Sequence, residues 1–335
     1  MKRYLWVGIA VLLVVLVGCQ NQYITGGKLY LQQNNPEKAV EQFKKAIEME
    51  PDNVDGYLWL GKAYTLQKKY KDASYAFLEA INKGAKSKME AEDPIFYWTI
   101  FLDAGIEAFN EGKYDSSIVW FEMALEFNPD SASTYRFIGV SYAKMGDEEK
   151  KREFYQKALE RSPGDPKMIF ALARDFIEDE EYEMAEGLLN KALDKDEDGQ
   201  LHYLLGVMRS RQERFEEAAE AFNFALSKDP ENIDTHFNIG LAYIKLKKFS
   251  DASVHFRKVV DVNPEDKEAW FYLGYVLAQD KKYQDAVDAF TKVLELDPDY
   301  CDAYVNRALA YDYLGKKKLA RRDREKAIEC KKRMK

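Results

Sequence analysis

Cysteine, histidine and proline are scarce in this sequence of 335 residues, which contains only three, three and nine of them. Three cysteines are too few for a disulfide framework, so the fold must depend on a hydrophobic core. The apolar fraction of 46% is sufficient for such a core, and 32% of charged residues indicates a polar surface. All nine prolines fit helix starts or ends, which leaves long uninterrupted segments for helices.

Sequence motifs for catalysis are also missing. The chain has no His-Glu-x-x-His stretch, which a zinc peptidase would require, and no glycine-rich loop for a phosphate group. No Ser-His-Asp or Cys-His set can be nominated. We therefore expect neither an enzyme nor a bound cofactor, metal ion or small-molecule substrate. Residues 19–314 carry a net charge of −18, which argues against nucleic-acid binding as well.

The N-terminal residues 1–18 differ in composition from the rest of the chain. Lys2 and Arg3 precede an apolar stretch that runs from Leu5 to Val17. As a helix this stretch would span roughly 20 Å, which is too short for the ~30 Å hydrocarbon core of a bilayer. The pattern is therefore typical of a signal peptide and not of a membrane-spanning helix.

The four residues that end at Cys19 (Leu-Val-Gly-Cys) resemble the bacterial lipobox. The resemblance implies cleavage before Cys19, acylation of its thiol and a lipid anchor in the bacterial cell envelope. The alternative is an uncleaved N-terminal anchor with an incidental cysteine. Because Gln20 and not Asp follows the cysteine, the same resemblance favours the periplasmic face of the outer membrane if the source has two membranes.

Small residues recur with a period of 34 along the remaining chain. Successive glycines of this register are 34, 44, 34, 67, 34 and 34 residues apart; Ala173 lies within the longest gap and Ala308 lies 34 residues beyond the last glycine. An aromatic residue follows each of these glycines after sixteen residues. The glycines are Gly27, Gly61, Gly105, Gly139, Gly206, Gly240 and Gly274, and the aromatic residues are Phe43, Phe77, Phe121, Tyr155, Phe222, Phe256 and Phe290.

These columns, together with prolines that close six of the units, resemble the tetratricopeptide repeat over residues 20–334. The resemblance implies an all-α solenoid of about nine antiparallel helix pairs that form a right-handed superhelix without an internal domain boundary. Small residues let the helices of a pair approach closely, and the rings fill the seam between one pair and the next. The nine units are residues 20–53, 54–87, 98–131, 132–165, 166–198, 199–232, 233–266, 267–300 and 301–334.

Residues 88–97 interrupt the register between the second and third units. Asp93 followed by Pro94 is typical of a helix start, so we expect a lengthened helix from Pro94 towards Asn110. The interruption itself is interpreted as a tolerated surface insertion, or alternatively as a local binding feature.

In tetratricopeptide-repeat proteins the first helix of each pair lines a concave groove. The corresponding positions carry aromatic and scattered basic residues here, which suits a protein or peptide segment with apolar anchors. The Lys and Asn arrangement with which some family members bind a carboxylate is absent. Ordinary packing within the solenoid is the alternative role at each position. The predicted groove residues are Leu58, Trp59, Lys62, Arg136, Phe137, Phe170, Arg174, Tyr203, Phe237, Asn238, Phe271, Tyr272, Tyr275 and Asn306.

The ninth unit combines two cysteines with a reversal of charge. Cys301 and Cys330 fall near ends of antiparallel helices that meet, so a disulfide is geometrically possible; we nevertheless expect two free thiols, because the sequence does not give their separation. Residues 315–335 carry a net charge of +8, and Arg324 occupies the aromatic column. We interpret this segment as a polar capping helix, with contact to anionic lipid or an acidic partner as the alternative.

These features predict a membrane-anchored scaffold that binds a protein or peptide segment in its groove, within an assembly of the cell envelope. The alternative is a recruiting or regulatory subunit for an envelope enzyme such as a peptidoglycan hydrolase. His202 and His236 occupy core positions of their helices, so packing is favoured over metal binding for both.

Overall fold

The computed structural model describes residues 21–333, so the predicted signal peptide and the lipidation predicted at Cys19 lie outside the described residues. All regular structure between residues 21 and 333 is helical, which confirms the predicted all-α fold. No helix in this range is long and apolar enough to span a membrane. The chain divides after Pro163 into two compact units, called here the N-terminal and C-terminal halves. The single unbroken solenoid stays a prediction.

The N-terminal half contains four helix pairs, and the two helices of each pair pack against each other. A short extra helix precedes the third pair. The helices are α1 (Gln22–Gln32), α2 (Pro36–Met49), α3 (Val54–Leu66), α4 (Tyr70–Asn82), α5 (Lys86–Glu92), α6 (Pro94–Asn110), α7 (Tyr114–Phe127), α8 (Ala132–Met145) and α9 (Glu148–Arg161).

The C-terminal half contains five pairs, and from its third pair onward each first helix also packs on the second helix of the pair before it. The helices are α10 (Pro166–Glu178), α11 (Tyr182–Leu189), α12 (Gln200–Arg211), α13 (Phe215–Lys228), α14 (Ile233–Lys245), α15 (Phe249–Val262), α16 (Lys267–Gln279), α17 (Tyr283–Leu296), α18 (Cys301–Tyr313) and α19 (Lys317–Arg333).

Polar side chains begin many of the first helices. The Asn53 side chain accepts hydrogen bonds from the backbone N–H groups of Asp55 and Gly56 at the start of α3, and Asp266 accepts one from Ala269 at the start of α16. Each bond satisfies an amide that a helix start would otherwise leave unpaired. These caps fix where the capped first helices begin.

Each glycine of the register lies directly against the ring that follows it by sixteen residues. A Cβ atom on Gly61 would lie 2.4 Å from Cε1 of Phe77, whereas carbon atoms in contact are usually about 3.5–4.0 Å apart. Such rings also reach the following pair, since Phe256 stacks on Tyr272 with a centroid distance of 5.5 Å. The ring therefore fills the space above its own glycine as well as the predicted seam.

The two pairs that carry alanine in place of this glycine also lack the ring. In the fifth pair Ala173 is matched sixteen residues later by Leu189, and both are fully buried. In the ninth pair Ala308 is matched by Arg324, which is exposed and bonds to Asp312. Alanine thus occurs at this position only in the two pairs in which no aromatic ring packs over it.

Most residues of the insertion are exposed, but two of its side chains are part of the core. Helix α6 spans Pro94–Asn110 as predicted, and the Asp93 side chain accepts a hydrogen bond from the Phe96 N–H at its start. The unpredicted helix α5 places Met89 in the same buried cluster as Tyr97, and both are fully buried. Residues 88–97 are therefore a surface insertion only in part, because Met89 and Tyr97 belong to the core.

The fifth pair has a short second helix. Helix α11 ends at Leu189 and a 3₁₀ turn follows (Leu193–Lys195), so Ala192 is buried outside a helix. The exposed Gly187 weakens this helix by about 1 kcal/mol relative to alanine. The Asp196 carboxylate accepts hydrogen bonds from the N–H groups that begin α12, which favours a helix start over a continued α11.

The ninth pair is cross-linked. Cys301 and Cys330 form a disulfide with a Cα–Cα distance of 5.6 Å, so the expectation of two free thiols was wrong. The antiparallel arrangement brings the start of α18 beside the end of α19, within the roughly 4.4–6.8 Å that a disulfide spans. Arg307 also donates to both carboxylate oxygens of the buried Asp323 at 2.7 and 2.9 Å. These two links hold a pair that lacks the usual ring.

Candidate functional site

The predicted groove residues all lie on first helices, but they differ in accessibility. Leu58 is 3% exposed and belongs to the core cluster of Phe77 and Tyr97, so its assignment to the groove was wrong. Arg174 is exposed, and the remaining twelve are half-buried. Half-buried aromatic residues both pack within the fold and present a ring edge to a ligand.

In the N-terminal half, Trp59 lies between two lysines. The Lys28 and Lys62 ammonium groups are 4.6 and 4.8 Å from the centre of the Trp59 ring, distances at which a cation is attracted to the ring face. Lys62 also forms an ion pair with Glu92 at 2.5 Å. These contacts hold Trp59 and Lys62 in one arrangement.

The second predicted part of the groove in this half is mainly structural. Phe137 stacks on Phe121 with a centroid distance of 5.5 Å, and the Arg136 guanidinium lies over the Phe137 ring at 5.6 Å. Phe137 therefore packs in the seam between two pairs. Its ring is covered by Arg136 and is half-buried.

In the C-terminal half, helices α12, α13, α14, α16 and α18 line an open cavity of about 540 Å³. Five predicted groove residues line it together, namely Asn238, Phe271, Tyr272, Tyr275 and Asn306. We call this cavity the C-terminal groove. Its other lining residues are Ser210, Phe215, Leu241, Ala242, Ile244 and Lys245.

The lining of the C-terminal groove is apolar with amide groups at intervals. Phe271 packs on Phe290 and Tyr300 with centroid distances of 5.8 and 5.1 Å, which fixes the aromatic part of the lining. The Asn238 side chain donates to the Tyr203 hydroxyl at 3.1 Å and to the Asp234 carbonyl at 2.9 Å. Both amide hydrogens of Asn238 are thus used, and its carbonyl oxygen is the atom left to accept a bond.

Phe237, predicted for the groove, is absent from this lining. Its ring meets Phe256 and Tyr272 edge-on with centroid distances of 5.6 and 5.7 Å. It therefore supports Tyr272 from the core side. Leu241 lines the cavity although it was not predicted; it occupies the same register position as Tyr275, which is the signal that would have identified it.

Phe170 and Tyr203 lie in a more acidic part of the C-terminal half. Both line a cavity of about 470 Å³ whose wall includes Asp198, Asp229 and Asp234. Phe170 also lines a second cavity, of about 560 Å³, with further acidic residues from residues 194–198. These acidic walls were not predicted, although four of the five residues from 194 to 198 are acidic in the sequence. Among residues 21–333, no three acidic, histidine or cysteine side chains are arranged to hold a metal ion.

The histidines are hydrogen-bonded within the fold. His202 Nδ1 bonds to the Asp196 carboxylate at 2.5 Å. His236 Nε2 donates to the Pro230 carbonyl at 3.0 Å, so its Nδ1 accepts from the Nδ1–H of His255 at 2.9 Å. His236 is buried, as expected for a packing role, while His202 is half-buried.

The His236–His255 contact predicts a pH dependence of stability. Burial, and secondarily the neighbouring His236, lowers the pKa of His255 to about 4 from an ordinary value of 6.5, while Asp251 acts in the opposite direction. The unfolded chain, in which His255 has its ordinary pKa of 6.5, takes up this proton at a higher pH than the folded chain does. With respect to this group, the free energy of unfolding is therefore highest above pH 6.5 and falls as the pH decreases towards 4.

A His255→Gln variant, which retains a donor for His236, should lose less stability over this pH interval than the wild type. The measurement is the free energy of unfolding of both proteins from pH 7 to pH 4. Subtracting one curve from the other removes the carboxylate titrations that the two proteins share. Parallel curves would contradict the prediction.

Sequence models of the tetratricopeptide repeat match several parts of the chain. Models described as "Tetratricopeptide repeat" match residues 132–165, 237–300 and 289–322. A model described as "TPR repeat" matches residues 27–68 and 206–247. The predicted repeats are confirmed in these ranges.

The chain is also similar to curated proteins. It is 22% identical over 199 residues to "Anaphase-promoting complex subunit 3" of Schizosaccharomyces pombe, covering 59% of this chain and 28% of that protein. It is 24% identical over 208 residues to "BBSome complex member BBS4" of Bos taurus, covering 62% and 38%. A match to "Photosystem I assembly protein Ycf3" of Synechococcus is 32% identical over 73 residues, covering 21% and 42%. The chain thus spans less than half the length of each.

Solved structures show a similarity to parts of this chain. The structure described as "MamA AMB-1" is 24% identical with a TM-score of 0.46, covering 49% of this chain and 98% of that one. "YrrB: a TPR protein with an unusual peptide-binding site" is 25% identical with a TM-score of 0.41, covering 63% and 91%. Each similarity therefore leaves a large part of this chain without a counterpart.

Proposed function

The chain carries tetratricopeptide repeats, and we propose that it is an interaction scaffold whose C-terminal groove binds a protein or peptide segment. The single observation that carries the proposal is the cavity of about 540 Å³ in which five predicted groove residues from three first helices come together. Two of the similar proteins are named as members of multiprotein complexes, which supports a scaffold role.

The lining of the C-terminal groove favours a peptide with apolar side chains. Phe271, Tyr272 and Tyr275 provide aromatic surface that is already held by packing, so little side-chain entropy is lost on binding. The carbonyl oxygen of Asn238 is positioned to accept a backbone N–H from a ligand. Asn306 supplies a second amide from α18, two pairs further along the chain. Its side chain donates to the Asp302 carbonyl at 2.8 Å.

A Tyr275→Ala and Asn306→Ala double variant tests this function. Truncating residues of this kind at the centre of an interface typically costs 1–3 kcal/mol, so we expect binding of the partner to weaken by about tenfold to a hundredfold. The measurement is quantitative affinity purification from solubilised cells, followed by titration of the recovered partner against the purified proteins.

The matched control is Tyr75→Ala, which removes an exposed tyrosine from a second helix in the other half. It should leave the recovered proteins and their affinity unchanged. Equal recovery with the groove variant and the wild type would contradict groove binding.

We further propose that Cys19 is lipidated and anchors the scaffold in a bacterial cell envelope. The Leu-Val-Gly-Cys sequence after an apolar segment supports this proposal. Metabolic labelling with an alkyne fatty acid should mark the wild type and not a Cys19→Ala variant, and the variant should leave the membrane fraction. A Cys19→Ala variant that stays in the membrane fraction would instead indicate an uncleaved anchor.

The recovered partners also distinguish the two functional classes. Structural components of an envelope assembly would support a scaffold within that assembly. A single hydrolase, with activity that changes when the purified chain is added, would support a recruiting or regulatory subunit.

A further inference from the structure

One face of helix α19 is exposed in the structure of residues 21–333. In the preceding pair, α17 packs against α18, the first helix of the next pair. Val287, Phe290 and Leu294 of α17 are at most 9% exposed there. A shift of 34 residues carries these positions to α19. The corresponding residues are Arg321, Arg324 and Ile328.

These three residues of α19 are open to solvent. The side chains of Arg321 and Arg324 are 84% and 52% exposed, and Ile328 is 57% exposed. On α18, Val305 and Leu309 are exposed one helical turn apart. In the preceding pair, Phe271 occupies the register position that Val305 occupies in the ninth pair. Phe271 packs on Tyr300, which lies at the start of α18. The end face, as we call it, consists of Val305, Leu309, Arg321, Arg324 and Ile328.

We propose that the end face binds an acidic amphipathic helix of a partner protein, which packs on α19 as α18 packs on α17. A helix occupies this face in the two preceding pairs, so the surface has the shape that a helix fits. The end face has three apolar side chains for contact and two arginines. Arg321 pairs with Glu325 and Arg324 pairs with Asp312. Such exposed ion pairs contribute little to stability, so carboxylates of a partner can replace them. Residues 315–333, which include both arginines, carry ten basic and three acidic side chains and thus a net charge of +7, which attracts acidic partners and repels basic ones.

Two other occupants fit the end face less well. The first helix of a second copy would be α1, which carries Lys28 and no acidic residue, so it offers nothing to the arginines. An anionic membrane would require α19 to turn an apolar face outward. Ala320, Ala327 and Cys330 of α19 are buried within its own pair. Its exposed apolar residues are Leu319 and Ile328, which are nine residues apart and therefore lie on opposite sides of the helix.

The end face and the C-terminal groove share no residue, so binding at the end face is separate from the binding proposed for the groove. It is tested on the full chain with a fluorescent 13-residue amphipathic peptide that has leucine every third or fourth residue and glutamate between. A peptide with lysine in place of glutamate, and vesicles of phosphatidylcholine with phosphatidylserine, are the comparison ligands. Fluorescence anisotropy and vesicle co-sedimentation measure binding.

The test variant is Arg321→Glu with Arg324→Glu, and its matched control is Lys318→Glu with Arg322→Glu. The control makes the same charge change on the same helix at positions that stay exposed in the preceding pair. We expect the glutamate peptide to bind the wild type, the test variant to weaken binding at least tenfold and the control to stay within threefold. An Ile328→Ser variant, which changes no charge, should weaken binding as well, and the Tyr275→Ala and Asn306→Ala variant should not.

Three results would overturn the proposal. Equal losses in the test and control variants would indicate general attraction to a basic segment and not a defined face. Equal binding of the lysine and glutamate peptides would exclude selection for acidic partners. Binding of anionic vesicles without binding of the glutamate peptide would assign the basic helix to lipid.

Discussion

Replacing Gly61 with alanine is expected to destabilise the N-terminal half by about 2 kcal/mol or more, as overpacking of a filled core does. The new Cβ atom would lie 2.4 Å from Phe77. The ring is fully buried and meets Tyr97 edge-on at a centroid distance of 5.0 Å, so it has no space into which to move. This clash exceeds the gain of about 1 kcal/mol that alanine brings to a helix. Urea denaturation measures the change.

The chain offers both a control and a rescue for this prediction. Gly187 is also helical but has no atom within 4 Å of its would-be Cβ, so Gly187→Ala should stabilise by about 0.5–1 kcal/mol. The fifth pair already combines Ala173 with Leu189, so adding Phe77→Leu to Gly61→Ala should restore part of the lost stability. If the stability changes of the two substitutions simply add, the contact between the Phe77 ring and position 61 is not the cause of the destabilisation.

Breaking the Cys301–Cys330 disulfide is expected to cost the ninth pair roughly 3 kcal/mol, the typical entropic contribution of a bond that closes a loop of this length. The two cysteines are 29 residues apart in sequence. Because no further pair packs on α19 within residues 21–333, this loss should appear as local opening of α19 and not as unfolding of the whole half. Hydrogen exchange of residues 317–333, with and without reductant, measures it.

The control is the Cys301→Ser and Cys330→Ser double variant, in which reductant should have no effect. The ion pair between Arg307 and Asp323 should keep part of the protection in α19 after reduction. Unchanged exchange of α19 in the reduced wild type would show that the ion pair and packing alone hold this pair.

The repeat register could be predicted from the sequence because its columns reflect steric contacts between helices. A glycine and a ring sixteen residues apart determine how closely two helices approach, and Asp93 with Pro94 determines where α6 begins. Two parts of the chain depart from this register because of contacts that the repeat columns do not describe. Helix α11 ends early beside an aspartate that bonds to the start of α12, and Met89 of the insertion turns into the core.

The candidate site was predicted less completely than the fold. A register assigns residues to a helix face, but it does not say how far each side chain is covered. Leu58 thus proved to be core, and Phe237 supports Tyr272 from beneath. Likewise, the disulfide depends on a Cα–Cα distance of 5.6 Å that only the packing of α18 on α19 sets.

The central claim is that the C-terminal groove, and not the outer surface of the repeats, holds the partner. Photo-crosslinking tests it most directly, with benzoylphenylalanine placed at Tyr275 in the groove or at Val254 on α15, which is 59% exposed. The groove position should crosslink in cells to a protein that the Val254 position does not capture. That crosslink should disappear when Asn306→Ala is added. The same protein captured equally from Val254, or no crosslink from Tyr275, would contradict the claim.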